Sequence, residues 1–267
     1  MGVDFGRYQN RIIGELMVPA READFVNYPN ELREEIAEFL SDLGIEKLYS
    51  HQAEMFNSVI AGENVVITTS TASGKTLSFL LPIIQSILND PTTRAIFIYP
   101  TKALASDQYR QIKPFLDKFG EHRIQAGVYD GDTPVGERSR IRNNANIILT
   151  NPDMLNAAFL PNHSKYGFSY IFSNLKYVVF DELHSYKGAF GAHLANIVRR
   201  MKRICYYYNS KPQYLCSSAT IANPIELAQN ITGENVVLID NDGSASSQKN
   251  IYLWLPAMDE KEGYRIP

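Results

Sequence analysis

A parallel α/β sheet with helices on both faces is the fold class that this 267-residue sequence predicts. Three observations predict it. Short runs rich in Val, Ile and Phe alternate with longer stretches of helical spacing along most of the chain. The runs are nearly continuous in apolar residues, as strands covered on both faces require. The stretches between them are long enough for the crossover helices that parallel neighbours need. Ligands of such a sheet gather at the carboxyl ends of its strands.

Each element follows in order. Residues 1–44 are expected to form a helical extension, clearest in "PNELREEIAEFLSDLGI", where Leu32, Ile36, Phe39, Leu40 and Leu43 keep helical spacing and Gly44 is a stop signal. Residues 45–239 carry the strand candidates "NVVIT" (64–68), "RAIFIYP" (94–100), "IQAGVYD" (124–130), "NIILT" (146–150), "YVVFDE" (177–182) and "QYLCSSA" (213–219). Helices are expected in "KTLSFLLPIIQSIL", "ALASDQYRQIKPFLDKF", "TPVGERSRIRNN", "PDMLNAAF", "GAHLANIVRRMKRICYYY" and "NPIELAQNIT" between and after them. After Asn235 come a strand, a Gly/Ser-rich turn and another strand, so 240–267 is expected to be a linker leading out of the domain. It stops in "MDEKEGYRIP" with no closing element, an odd end for a complete protein.

Composition excludes little. A hydrophobic fraction of 45% and a charged fraction of 21% are ordinary for a globular chain. The net charge of -3 gives no global reason to bind nucleic acid, so such contacts must be local. No apolar stretch reaches the roughly 18 residues that a membrane span needs, and the start lacks the order of a signal peptide. A cytoplasmic protein without a membrane partner is expected. Cys205 and Cys216 fall in a helix and a strand, where buried free thiols are expected instead of a disulfide or metal pair. "RRMKR" (199–203) is expected to be a solvated helix end, and Tyr206–Tyr208 to pack beneath the sheet. His51, His163 and His193 read as ordinary polar or core residues.

"TTSTASGKTLSFLLP" (68–82) joins a strand to a helix through small residues. Such a junction presents unpaired backbone N–H groups and the positive end of a helix dipole to an anion. Lys75 can reach terminal phosphates and the Thr76 hydroxyl can ligate Mg²⁺, although Thr69 stands where the strict phosphate-loop pattern opens with glycine. Taken alone, the stretch fits either a nucleotide site or a polar turn that caps a helix. "KYVVFDELHSY" delivers Asp181 and Glu182 to the end of a buried strand. Asp181 suits a phosphate-bound Mg²⁺ and Glu182 a water attacking a γ-phosphorus; two acids capping the next helix are the other reading. His184 stands beside them as a polar residue, with no second histidine at the spacing of a zinc protease. In "LCSSATIANP", Ser218, Ala219 and Thr220 close one more buried strand.

In this order the segments resemble the superfamily 2 helicases of DEAD/DEAH type. "TASGKT" resembles motif I, "DELH" motif II and "SAT" motif III; "YPTKALASDQ" (99–108), "YDGDTP" (129–134) and "TNPDML" (150–155) are similar to the strand-binding motifs, and "LYSHQAEMF" (48–56) to the adenine-reading segment. The likeness covers roughly residues 45 to 233. It is closest to DNA repair helicases with a cysteine-rich, zinc-binding carboxyl region, in which a "TASGK" loop is usual; Cys205 and Cys216 do not match those zinc ligands.

The resemblance implies a RecA-like ATP-binding lobe that uses ATP and Mg²⁺. Thr71, Ala72, Ser73, Gly74, Lys75 and Thr76 would form the phosphate loop, and Gln52 would read adenine, with Tyr28, Phe39 and Tyr49 all open as its stacking partner. Thr76 and Asp181 would hold Mg²⁺, with Glu182 activating water. Thr101, Lys102, Gly131 and Thr150 would contact nucleic acid, single-stranded or partly duplex DNA with RNA left open, while Asp153 caps the following short helix. Ser218 and Thr220 would couple the two sites. A second RecA-like lobe, whose truncated entry "KNIYLWLPA" within 240–267 resembles, would supply arginines across the cleft, so the chain is expected to be a fragment carrying the first lobe. The implied function is the ATP-binding lobe of an ATP-dependent DNA helicase of repair or recombination. The alternatives are a translocase lobe of a restriction or remodelling system, or, for this chain alone, a nucleotide-binding module without turnover.

Overall fold

The computed structural model describes residues 11–70, 73–120 and 123–256. They divide into a small unit, reaching to Asp24 and resuming at Ser244, and a large unit from Phe25 to Gly243. The small unit is an antiparallel pair: β1 (Ile12–Val18) on the last strand among the described residues, β11 (Lys249–Trp254). Arg21 bridges to Ser246 and donates to the Ser244 carbonyl at 2.8 Å.

The large unit opens with a short antiparallel pair, β2 (Phe25–Val26) and β3 (Leu48–Tyr49), around α1 (Glu34–Asp42). Ile36, Phe39 and Leu40 form the buried face of α1. Gly44, at φ +76°, stops it: its N–H bonds Ser41 O and that of Ile45 bonds Leu40 O, so two terminal carbonyls are satisfied. Then come α2 (Ser50–Ile60), β4 (Val65–Thr68), α3 (Lys75–Asn89), β5 (Arg94–Ile98), α4 (Lys102–Lys118) and β6 (Ala126–Val128). Next are α5 (Val135–Asn144), β7 (Ile147–Thr150), α6 (Pro152–Met154) running into a wide turn over Leu155–Phe159, α7 (Phe168–Ser173) and β8 (Leu175–Phe180). α8 (Gly188–Tyr207), β9 (Gln213–Ser218), α9 (Pro224–Thr232) and β10 (Val237–Ile239) complete it.

The seven strands form one parallel sheet in the order β10-β4-β9-β8-β5-β7-β6. Its two faces bury alternate residues of each strand: Val65, Ile67, Phe97, Leu149 and Val179 on one, Val66, Ile96, Ile98, Ile148 and Val178 on the other. Both faces therefore need apolar side chains, which is why the strands read as unbroken apolar runs. At roughly 1.5–3 kcal/mol for each fully buried Val, Leu or Ile, this double core outweighs any single polar contact in the site. Asp181 and the phosphate loop end up two strands apart, on either side of the end of β9.

Several expectations are corrected. Among its described residues, the segment before residue 45 is α-helical only at Glu34–Asp42; Ile12–Val18 is a strand, because its partner Lys249–Trp254 lies far along the chain. The large unit also begins earlier, at Phe25. Tyr206 and Tyr207 are 82% and 72% exposed instead of packed beneath the sheet. Within "RRMKR", Arg199 and Arg203 are solvated, but Met201 is buried and Lys202 donates to the Thr232 carbonyl at 3.2 Å. Cys205 and Cys216 are buried and free, as expected.

Candidate active site

β4 ends buried at Thr68, and the loop beyond it is held from several sides. The Thr69 and Ser73 hydroxyls share a buried hydrogen bond of 2.6 Å. Gly74 caps α3 at φ +80°, in the left-handed region. The backbone conformation favours glycine, and a Cβ there would stand 2.5 Å from Gln52 Nε2 and displace that amide. Lys75 folds back, its ammonium donating to the carbonyls of Thr69 (2.8 Å) and Ser70 (2.9 Å). Burial pulls the Lys75 ammonium below its ordinary range, while the carboxylates of Asp181, Glu182 and Asp242 oppose the shift. Thr71 and Ala72, two of the expected loop residues, lie outside the described residues.

His51 is a site residue that sequence reasoning missed. It is fully buried, with Nε2 3.0 Å from the Ser73 carbonyl and Nδ1 accepting the Gly243 amide at 3.2 Å. A backbone N–H can only donate, so Nδ1 is the acceptor and Nε2 carries the proton that holds the loop. Asp242 adds a second tie, accepting the Ser70 amide at 3.0 Å. The one sequence signal for His51 was its position beside Gln52.

Across the sheet, β8 carries Asp181 to the same end. Its Oδ1 accepts the Glu182 amide at 2.9 Å and the Ser217 hydroxyl; Oδ2 has no partner among the described residues. Glu182 sits at φ +54°, a left-handed conformation costly for a non-glycine residue and typical of functional turns. Its Oε2 is 3.1 Å from His184 Nε2, and His184 Nδ1 accepts the Ala219 amide at 3.1 Å. Thus β9 reaches the carboxylates through Ser217 and Ala219. The two expected coupling residues do not: the Ser218 hydroxyl is buried with no partner among the described residues, and Thr220 is exposed. His184 is the second residue the sequence reading passed over.

Ser73, Gly74, Lys75, Thr76, Asp181 and Glu182 line one cavity of about 610 Å³, together with Gln108 and Gln111 of α4. An adjoining cavity of about 570 Å³ shares Gly74, Leu77 and Ile45 and is walled by Phe25, Tyr49 and Gln52. Gln52 is largely committed there, accepting the Tyr49 amide (3.0 Å) and donating to the Gly74 carbonyl (3.3 Å). Of the three aromatic candidates, Phe39 is buried in the core, Tyr28 donates to the Ile45 carbonyl, and Tyr49 lines the cavity. Phe25, not among them, stacks on Tyr49 at 5.1 Å and is half exposed at the mouth.

The expected nucleic-acid residues separate into two groups. Thr101 caps α4, accepting the Leu104 amide at 3.3 Å, and is exposed; Lys102 reaches Asp132 at 3.1 Å beside exposed Gly131. Thr150 is corrected: its side chain is wholly buried and its hydroxyl donates to the Tyr129 carbonyl at 2.7 Å, so it braces the neighbouring loop instead of facing a ligand. Asn151, not Asp153, caps the helix that follows, accepting the Met154 amide at 2.9 Å.

The family model described as DEAD/DEAH box helicase matches residues 49–228. The ATP-dependent helicase YprA of Bacillus subtilis is 46% identical over 91% of this chain and 32% of its own length. The ATP-dependent helicase HRQ1 of Saccharomyces cerevisiae is 42% identical over 93% of this chain and 23% of its own. The crystal structure of the DUF1998 helicase MrfA bound to DNA and AMPPNP superposes with a TM-score of 0.90 at 43% identity, covering 95% of this chain and 35% of that one. This chain therefore spans about a third or less of the length of these three proteins. Among the described residues no helix is long and apolar enough to cross a membrane.

Proposed function

The chain belongs to the DEAD/DEAH box helicase family, and from that membership we propose that it is the ATP-binding lobe of a DNA helicase, coupling hydrolysis of ATP to movement along DNA and its unwinding. The observation that carries the reading is the cavity of about 610 Å³ in which Lys75, Thr76, Asp181 and Glu182 meet. They arrive from two strand ends separated by β9, where an anion finds the α3 N-terminus and a water finds a carboxylate.

In this reading the loop amides and the Lys75 ammonium bind the terminal phosphates. Lys75 must exchange its two carbonyl partners for phosphate oxygens. Its lowered proton affinity is reversed by that anion, which keeps it charged in the complex. The donor set fits Mg²⁺: one hydroxyl and one carboxylate with an unclaimed oxygen, a hard and sparse shell that leaves room for water and phosphate. Thr76 and Asp181 would hold the ion, which when bound neutralises charge on the phosphates. Glu182 orients water and takes its proton, held in place by His184. Phe25 and Tyr49 offer an aromatic face to adenine, and Gln52 its remaining N–H and lone pair.

Thr101, Lys102 and Gly131 bind the phosphates of a strand without reading bases. The likeness to a helicase solved with DNA and AMPPNP supports DNA and ATP as ligands. Because YprA and MrfA are about three times longer, we assign completion of the γ-phosphate site to a second RecA-like lobe. The test is calorimetric titration of the chain with Mg-ATP, beside Lys75→Ala, followed by hydrolysis assays with and without single-stranded DNA. Lys75-dependent binding is expected. Absence of any binding by the unaltered chain would sink the reading.

A further inference from the structure

We propose that Gln108 is a positioning residue for the Thr76 hydroxyl, turning that oxygen's lone pairs toward Mg²⁺. The proposal rests on the ATP reading above and adds a residue to it. Thr76 Oγ1, at the start of α3, donates to Gln108 Oε1 of α4 at 3.1 Å. A threonine hydroxyl has one proton and two lone pairs. Without a fixed acceptor it rotates, presenting its proton to a cation as readily as its lone pairs. With the proton held by Gln108, the lone pairs are left for the cavity that Thr76 shares with Asp181 and Glu182. Partners behind a metal ligand commonly change metal affinity about 10–100-fold in this way.

Gln108 is itself half-buried in the wall of that cavity, so its amide is held by packing as well as by the hydrogen bond. The same helix begins at Lys102, just after the Thr101 cap. Gln108 lies six positions after Lys102, about 9 Å along the helix. One rigid element therefore carries both a candidate strand contact and the partner of a candidate magnesium ligand.

The experiment is a titration of the chain with a fluorescent N-methylanthraniloyl derivative of AMPPNP, in excess Mg²⁺ and in EDTA. The variants are Gln108→Met, which keeps the size and removes the acceptor, and Gln108→Glu, which keeps an acceptor oxygen. Gln108→Met is expected to lose about 10-fold of the tightening that Mg²⁺ gives, with affinity in EDTA unchanged within about twofold. Gln108→Glu retains the tightening. Thr76→Ala loses it too, and Gln108→Met adds nothing on that background. Full Mg²⁺ tightening in Gln108→Met, or an equal loss in EDTA, overturns the proposal, since the bond would then only pack α4 on α3. The ATP reading fails separately: an unaltered chain that does not bind the analogue, or binds it independently of Lys75, removes both.

Discussion

His184 Nε2 lies 3.1 Å from Glu182 Oε2, while His184 Nδ1 accepts the Ala219 amide at 3.1 Å. The imidazole thus links the end of β9 to the carboxylate at the end of β8. The Ala219 amide fixes the tautomer, so the Nε2 proton is the one offered to Glu182. That bond restricts a carboxylate already held on a left-handed backbone at φ +54°. A hydrogen bond to a charged group is worth about 1.5–3 kcal/mol, or roughly 10–100-fold in rate if it is needed only for the chemical step.

His184→Ala is accordingly expected to lower ATP hydrolysis by about 10–100-fold while leaving AMPPNP affinity within about twofold. Glu182→Gln should be more severe, since it removes the proposed base itself. Steady-state rates and equilibrium titrations on the same preparations decide this. An unchanged rate in His184→Ala would make its contact with Glu182 incidental.

Gly74→Ala attacks the loop through sterics. Its φ of +80° excludes most side chains, and the added methyl would meet Gln52 Nε2 at 2.5 Å. The left-handed penalty alone is roughly 1–2 kcal/mol. Denaturant unfolding should show a loss of that order, and AMPPNP affinity should fall as the Gln52 amide is pushed from the Gly74 carbonyl. Wild-type stability and affinity together would mean the loop relaxes freely.

How much of this was legible before the structure depended on range. The sheet strands and the Lys75, Thr76, Asp181, Glu182 set came from runs such as "NVVIT" and "YVVFDE", whose burial on both faces is written locally. The direction of a side chain was not. Along β9, Ser217 reaches Asp181 and Ser218 does not, because neighbours on a strand face opposite ways and the register of β9 against β4 and β8 is a tertiary fact. His51 gains its role only when Gly243 arrives from 192 residues away, and Ile12–Val18 becomes a strand only on meeting Lys249–Trp254. Thr150 kept the motif spacing of a ligand contact yet turned inward to Tyr129.

That inward turn separates two neighbouring motif residues by experiment. Thr150→Val leaves the Tyr129 carbonyl without its buried donor, at a cost of about 1–3 kcal/mol in unfolding free energy. Lys102→Ala breaks only a surface pair with Asp132, worth at most about 1 kcal/mol. Its effect is expected on nucleic acid instead: weaker binding of single-stranded DNA of any sequence, and a smaller salt dependence by about one phosphate contact. A Lys102→Ala variant with unaltered affinity and salt slope would remove α4 from the binding track.

The two buried thiols contribute to the loss of stability at alkaline pH. Burial raises Cys205 from 9.0 to about 11 and Cys216 to about 12. Between the unfolded and folded values the unfolded chain has lost its thiol protons and the native protein has kept them. The unfolded state then binds fewer protons, so stability falls as pH rises. The contribution is whole below about pH 9 and drains away toward pH 11 for Cys205 and pH 12 for Cys216, at a limiting slope of about 1.4 kcal/mol per pH unit for each thiol. Urea unfolding from pH 8 upward should show this decline, and Cys216→Ala should flatten it by one thiol's share even though the smaller side chain lowers stability at pH 8. Both thiols should resist alkylation at pH 8 until the chain is unfolded, because the thiolate is the reactive form. Rapid labelling of the native protein at pH 8, or a Cys216→Ala slope identical to that of the unaltered chain, would show that these thiols are not sealed in the core.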